Sequence, residues 1–173
     1  MKPTLTLPGT KHLKVNIFYL LSNFAFTFNM RRYTKVGGLS RVHGALERGG
    51  AQASVLFSSI AALLGSAGQA NYVAANGWLD TWAVAARQRG AAGVVSVQWG
   101  AWSGGGGMAA NDAGTVTRMG RLGVGVLPPV KGLQALQALL QLAASPAVAP
   151  PAVFTANPFD WTTFLQHGRA VQV

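Results

Sequence analysis

An α/β fold built on a parallel sheet is what this sequence predicts, and three observations predict it. Two short apolar runs, "ASVLFSS" and "GVVSVQW", are rich in β-formers and lack polar alternation, as strands buried on both faces do. Each run follows a helical segment that closes on glycine. Half of the 173 residues are hydrophobic and only 10% are charged, which is ample material for a buried core. Helix, strand, helix, strand is the rhythm of helices layered on a parallel sheet.

Residues 15 to 30, "VNIFYLLSNFAFTFNM", are apolar and aromatic, with Lys11 and Lys14 before them and Arg31 and Arg32 after. Sixteen residues carrying Asn16, Ser22, Asn23 and Asn29 are short and polar for a membrane span. No clean small-residue cleavage site comes after them, so neither an anchor nor a signal peptide is expected there. A buried element, or sequence foreign to the domain behind it, is the better expectation. "TKVGGLSRVHGALERGG" reads as a helix ending at Gly49-Gly50. The first buried strand comes next, then a glycine loop from Gly65 to Gly68. A helix from about Ala70 to Arg89 closes on Arg87, Arg89 and Gly90, favourable charges and a stop signal at a C-terminus.

After the second strand the chain loosens into "SGGGGMAANDAGT", a lid or linker in composition. "LPPVKGLQALQALLQLAAS" reads as a helix with Leu133, Leu136, Leu139, Leu140 and Ala143 on one stripe. The Pro-rich "SPAVAPPAVF" leads to a last short strand, and "NPFDWTTFLQ" to a terminal helix. No internal repeat is present.

Composition excludes several chemistries. There is no cysteine, which removes disulfides, thiolate metal sites and cysteine nucleophiles. The net charge of +10 invites a nucleic-acid reading, but Lys and Arg are scattered, with no run longer than two. No nucleic-acid partner is expected, whereas an acidic protein partner remains compatible. His12, His43 and His167 are dispersed, so no metal site is expected. A cytoplasmic location is the expectation, with which the lack of cysteine is compatible.

The chemistry concentrates around "GQANYVAANGW". Tyr72 and Asn76 are four apart, so on a helix they share a face. The strand ending in Ser58-Ser59 delivers a hydroxyl at its carboxyl tip, where open parallel sheets bind ligands. A serine, a tyrosine and an amide can thus meet at one ligand carbonyl. Each also has an ordinary reading. Ser59 is a possible strand-end cap, with Ser58 as its competitor, Tyr72 a core aromatic with a satisfied hydroxyl, and Lys35 a surface lysine. Trp78 and Trp82, four apart, read as core.

The blocks "KVGGLSRVH", "VLFSSIAALLG", "GQANYVAANGWLD" and "VSVQWGAW", in this order and spacing, resemble the ketoreductase domain of modular polyketide synthases, in the short-chain dehydrogenase/reductase superfamily. "RMGRLGVGVLPP" and "FDWTTFL" fit as well, so the resemblance runs from about Lys35 to Leu165. It implies a Rossmann-like parallel sheet with flanking helices. It implies a tetrad of Lys35, Ser59, Tyr72 and Asn76; the serine stands thirteen before the tyrosine, a spacing that prefers Ser59 over Ser58. Lysine before the serine, with asparagine four after the tyrosine, distinguishes this branch from generic short-chain reductases. The implied reaction is NADPH-dependent reduction of a β-ketoacyl thioester on an acyl carrier protein, within a polyketide or fatty-acid synthase-like system, beside other synthase domains. Cofactor contacts fall on Lys35, Tyr72 and the WGAW block at Trp99, Gly100 and Ala101. A free tyrosine titrates near about 10, and a lysine ammonium nearby lowers that. Asn71 before Tyr72 leans towards one alcohol stereochemistry, while Ala67 stands where proline is usual, so the stereochemistry stays open.

One part of the pattern is not found. No G-x-G-x-x-G precedes Lys35 to open a helix onto a pyrophosphate, and the run Gly104 to Gly107 lacks the strand–turn–helix context. The expected organisation is an unmatched segment over 1–32, the C-terminal catalytic portion of such a domain over 33–168 with a lid over about 103–130, and a tail over 169–173. The N-terminal βαβ half is expected to be missing. Such a half-sheet exposes an edge and apolar faces, so the isolated chain is expected to be weakly stable and largely inactive unless another polypeptide supplies the rest. A non-catalytic structural remnant, or a truncated gene reading, is the alternative.

Overall fold

The computed structural model describes residues 15–18, 33–48, 53–91, 93–104, 113–144 and 151–170. The remainder of the apolar N-terminal segment, the Gly49-Gly50 stop, the loop over 105–112, the Pro-rich joint over 145–150 and residues 171–173 lie outside the described residues.

Strand β1 is Val15–Phe18, β2 Ala53–Ser59, β3 Val94–Trp99 and β4 Val153–Ala156. They form one sheet in the order β1-β2-β3-β4, and all three pairings are parallel. A π-helical turn at Tyr33–Gly37 runs into α1, Gly38–Arg48, then α2, Ala61–Leu64, and α3, Ala70–Gln88. After β3 come α4, Ala113–Arg121, and α5, Pro129–Ala144; α6, Trp161–Ala170, follows β4. Among the described residues no helix is long and apolar enough to cross a membrane.

The predicted strands and the two long helices fall where the apolar runs placed them. Every residue of β3 is buried, because helices cover both faces of the sheet. On one face Val55, Val95, Val97 and Trp99 pack against Leu139, Leu140 and Ala143 of α5. On the other, Leu56 and Val94 pack against Leu79, Ala83 and Ala86 of α3 and Leu39 of α1, with Trp78 and Trp82 at its margin. Period-two alternation along each strand divides these two cores. Leu140→Ala is expected to cost about 2–5 kcal/mol by leaving a cavity in the first core, measured by urea unfolding of the full chain.

Four features differ from the sequence expectations. Val15–Phe18, within the unmatched segment, forms a parallel strand beside β2 and extends the sheet by one. The helix expected from residue 34 begins as a π-helical turn that carries Lys35, a wider coil of the kind found at functional sites. Leu133 does not join the α5 stripe and is 60% exposed. The first turn of α5 rests instead on the Trp102 ring, which covers Gly132 where a Cβ would clash. Helix α4 forms in a stretch whose glycines and threonines have low helix propensity, so its sequence reads as loosened chain.

Two turns anchor the C-terminal segment. Gly123 has φ +73°, and a Cβ there would come within 2.6 Å of the Asp160 carbonyl oxygen and the Phe164 nitrogen. Gly123→Ala is therefore expected to destabilise the chain by more than about 1 kcal/mol, read from the same unfolding curve. Asp160 caps α6: Thr163 donates its hydroxyl to Oδ2 at 2.7 Å and its backbone N–H to Oδ1 at 3.2 Å. The Thr163 side-chain bond, then its backbone bond, hold this carboxyl below the ordinary value of 3.8. A depressed folded-state value means stability present above the unfolded value and lost as pH falls through the folded one. The cap is thus expected to survive at pH 4 and to fail only in stronger acid, which an NMR titration of the Asp160 carboxyl checks.

Candidate active site

The site sits at the carboxyl ends of β2 and β3, where α3 crosses the sheet. Glycines at φ +78° and +71°, Gly65 and Gly68, turn the chain from α2 into the loop that starts α3. That entry places Tyr72 in the first turn of α3 and Asn76 one turn later, both on the sheet side.

Lys35 and Asn76 meet there. The Lys35 Nζ donates to Asn76 Oδ1 at 2.6 Å and to the Phe57 carbonyl at 2.7 Å. Lys35 is 6% exposed and Asn76 is fully buried. A buried ammonium needs such acceptors, since desolvation without them is costly. The Asn76 Nδ2 donates to the Tyr72 carbonyl at 2.8 Å, which locks the amide orientation. The Lys35 Nζ lies 5.7 Å from the centroid of the half-buried Tyr72 ring. Three of the four predicted residues are therefore joined in one cluster.

The two serines at the end of β2 differ in what they do. Ser58 donates its hydroxyl to the Asn76 carbonyl at 3.3 Å, tying strand to helix. Ser59 accepts the Ala61 N–H at 3.2 Å, and its own O–H has no acceptor among the described residues. Ser59 stands one residue beyond the Ser58 tie.

The WGAW block ends β3. The Trp99 ring is buried in the α5-side core, tilted against Phe57 and Trp102 at centroid distances of 5.5 and 5.1 Å. Its backbone carbonyl accepts from Ile60, the Gly100 N–H donates to Ala156, and the Ala101 carbonyl accepts from Leu127. Gly100 has to be glycine because the Asn157 side chain occupies the space of a Cβ. The Gly100 carbonyl and the Ala101 N–H have no partner among the described residues.

Sequence reasoning did not single out the Phe57 carbonyl, the Ser58 tie or Asn157. It also missed a polar chain under α3, in which Asp80 accepts from Ser96 and Gln98. Asp80 left a signal: it is the one acidic residue of α3, four positions after Asn76. Backbone carbonyls leave none, because any residue type supplies one.

Known proteins are similar to this chain in sequence and fold. The family model for the KR domain matches residues 25–104. A polyketide synthase system protein for spectinabilin, NorB of Streptomyces orinoci, is 46% identical over 89 residues, 51% of this chain and 4% of that protein. A solved A-type ketoreductase from a modular polyketide synthase superposes with TM-score 0.65 at 34% identity, covering 78% of this chain and 26% of that one. This chain belongs to the ketoreductase domain family of polyketide synthases. Within that family, the first ketoreductase of the tylosin synthase superposes with TM-score 0.67 at 31% identity, over 83% of this chain and 30% of its own. Mycoketide-CoA synthase of Mycobacterium tuberculosis is 37% identical over 120 residues, 69% of this chain and 3% of that synthase. The chain thus spans less than a third of these ketoreductases and a few per cent of the synthases. Its sheet and helices match part of the ketoreductase Rossmann-like fold.

Proposed function

We propose that this chain provides the proton-delivery face of an NADPH-dependent reduction, in which a β-ketoacyl thioester on an acyl carrier protein becomes the β-hydroxyacyl product. The observation that carries the reading is the buried Lys35–Asn76 contact of 2.6 Å beside the Tyr72 ring. Ketoreductase-family membership supports the reaction class.

Reduction leaves negative charge on the former keto oxygen. Ser59, whose O–H is uncommitted among the described residues, donates a hydrogen bond to that oxygen, a contact strongest in the transition state. Tyr72 gives its phenolic proton to the oxygen, completing the alcohol. The Lys35 ammonium stabilises the charge then left on the phenol, and Asn76 holds the ammonium in place. When bound, NADPH supplies the hydride to the keto carbon. Lys35, Tyr72 and the Gly100 carbonyl and Ala101 N–H would hold its nicotinamide end; one acceptor and one donor without partners suit a carboxamide. The phosphate end finds no G-x-G-x-x-G in the sequence, so turnover by the chain alone is expected to be slow.

The test is NADPH consumption by the full chain with a β-ketoacyl thioester on an acyl carrier protein. Ser59→Ala is expected to lower the rate by about 10²-fold. A folded chain that neither consumes NADPH nor binds it at micromolar concentrations, by calorimetry, sinks the catalytic reading. It would favour the other reading, a non-catalytic brace for a neighbouring synthase domain.

A further inference from the structure

Asp80 lies two turns after Tyr72 and one after Asn76, so all three leave α3 on the same side. Its carboxylate takes two hydrogen bonds, both from β3. The Ser96 hydroxyl donates to Oδ1 at 2.6 Å, and the Gln98 Nε2 donates to Oδ2 at 2.8 Å. Gln98 is held in turn by β4, whose Thr155 hydroxyl donates to Oε1 at 2.7 Å. Ser96 is fully buried and Gln98 nearly so, two residues apart on the face of β3 that α3 covers.

The rest of that interface is apolar packing, with Trp78 and Trp82 at its margin. Ala75, Leu79, Ala83 and Ala86 are the buried apolar residues of α3, and three of the four are alanines. Apolar burial is non-directional, so small side chains set a helix's rotation less sharply than a hydrogen bond does. A two-pronged hydrogen bond is directional, and each prong weakens steeply away from linearity. A rotation of about 20° would move an atom roughly 6 Å from a helix axis by roughly 2 Å, given ordinary helix dimensions. That displacement is enough to break the 2.6 Å contact between Asn76 and Lys35.

We infer that Asp80 is a positioning residue: it sets the rotation of α3 on the sheet, and thereby holds Asn76 against Lys35 and Tyr72 above the end of β2. Its partners are a neutral hydroxyl and a neutral amide, so geometry rather than charge is what the carboxylate contributes. Asparagine preserves that geometry, with its oxygen accepting from Gln98 and its amide donating to the Ser96 oxygen. Alanine removes both prongs.

The experiment compares the full chain with Asp80→Ala and Asp80→Asn. Protection of Lys35 from an amine-acylating reagent is read by mass spectrometry of the labelled peptide, and folding by urea unfolding. Asp80→Ala is expected to raise Lys35 labelling by about tenfold under conditions where the chain remains folded, as local opening does when a hydrogen-bonded anchor is lost. Asp80→Asn is expected to restore the protection. A folded Asp80→Ala chain with Lys35 protected as in the parent overturns the proposal, and so does an Asp80→Asn chain that labels as fast as Asp80→Ala. If Asp80→Ala does not fold, Ser96→Ala removes one prong and is expected to raise labelling by about threefold; unchanged protection in that folded variant is equally fatal. The kinetic arm rests on the proposed reduction: kcat is expected to fall in Asp80→Ala with KM little changed, and to recover in Asp80→Asn. Should the parent show no reduction at all, that functional reading fails, while Lys35 labelling still decides the role of Asp80.

Discussion

Tyr72→Phe is expected to lower β-ketoacyl reduction by about 10²- to 10⁴-fold, the range that a positioned proton donor supplies. The substitution removes one oxygen from a half-buried ring in the first turn of α3. The Lys35–Asn76 bond and the Asn76 bond to the Tyr72 carbonyl do not involve that oxygen, so the site's frame is expected to persist. NADPH affinity is expected to fall far less than turnover, since Tyr72 is one of several groups at the nicotinamide end while an interaction made in the transition state has been lost. Turnover at the parent rate would show that another group delivers the proton, and the role given to Tyr72 would be wrong.

Asn76→Ala is expected to have the largest combined effect on folding and chemistry. Asn76 is fully buried and serves three neighbours: it accepts from Lys35, donates to the Tyr72 carbonyl, and its backbone carbonyl receives the Ser58 hydroxyl. Truncation leaves the buried ammonium with the Phe57 carbonyl but without its amide acceptor. Losing a hydrogen bond to a charged group costs about 1.5–3 kcal/mol, and the small cavity adds to it. A drop of about 3 kcal/mol in unfolding free energy is expected by urea titration. Reduction is expected to fall with it, because Lys35 is no longer held beside the ring. A variant as stable as the parent would mean that Lys35 does not depend on Asn76 in solution.

Much of this arrangement is legible in the residues alone. Strands β2 and β3 announce themselves because a strand buried on both faces is mostly apolar without polar alternation, and "VLF" and "VV" are short runs of that kind. Helix α3 ends where arginine and glycine signal a stop. Tyr72 and Asn76 share a face by helical period alone. What the period could not supply is rotation. Nothing local says that the Ser96 and Gln98 side chains turn towards Asp80, sixteen and eighteen residues back, or that a Phe57 carbonyl faces a lysine twenty-two residues earlier. The α5 stripe shows the same limit from the other side. Leu133 has the right spacing, yet the Trp102 ring takes the place below the first turn, so that leucine faces outward.

Residue types and their spacing by themselves determined the fold class, the order of the central elements and the family to which the chain belongs. They did so because periodicity and turn chemistry act over a few residues and are written locally. Only the tertiary structure decided which acceptors hold the Lys35 ammonium, and how Asp80 ties α3 to β3 and β4. It also decided that Val15–Phe18 pairs in parallel with β2. Those outcomes depend on contacts between segments far apart in the chain, where directional hydrogen bonds and excluded volume choose among arrangements that local propensity leaves equal.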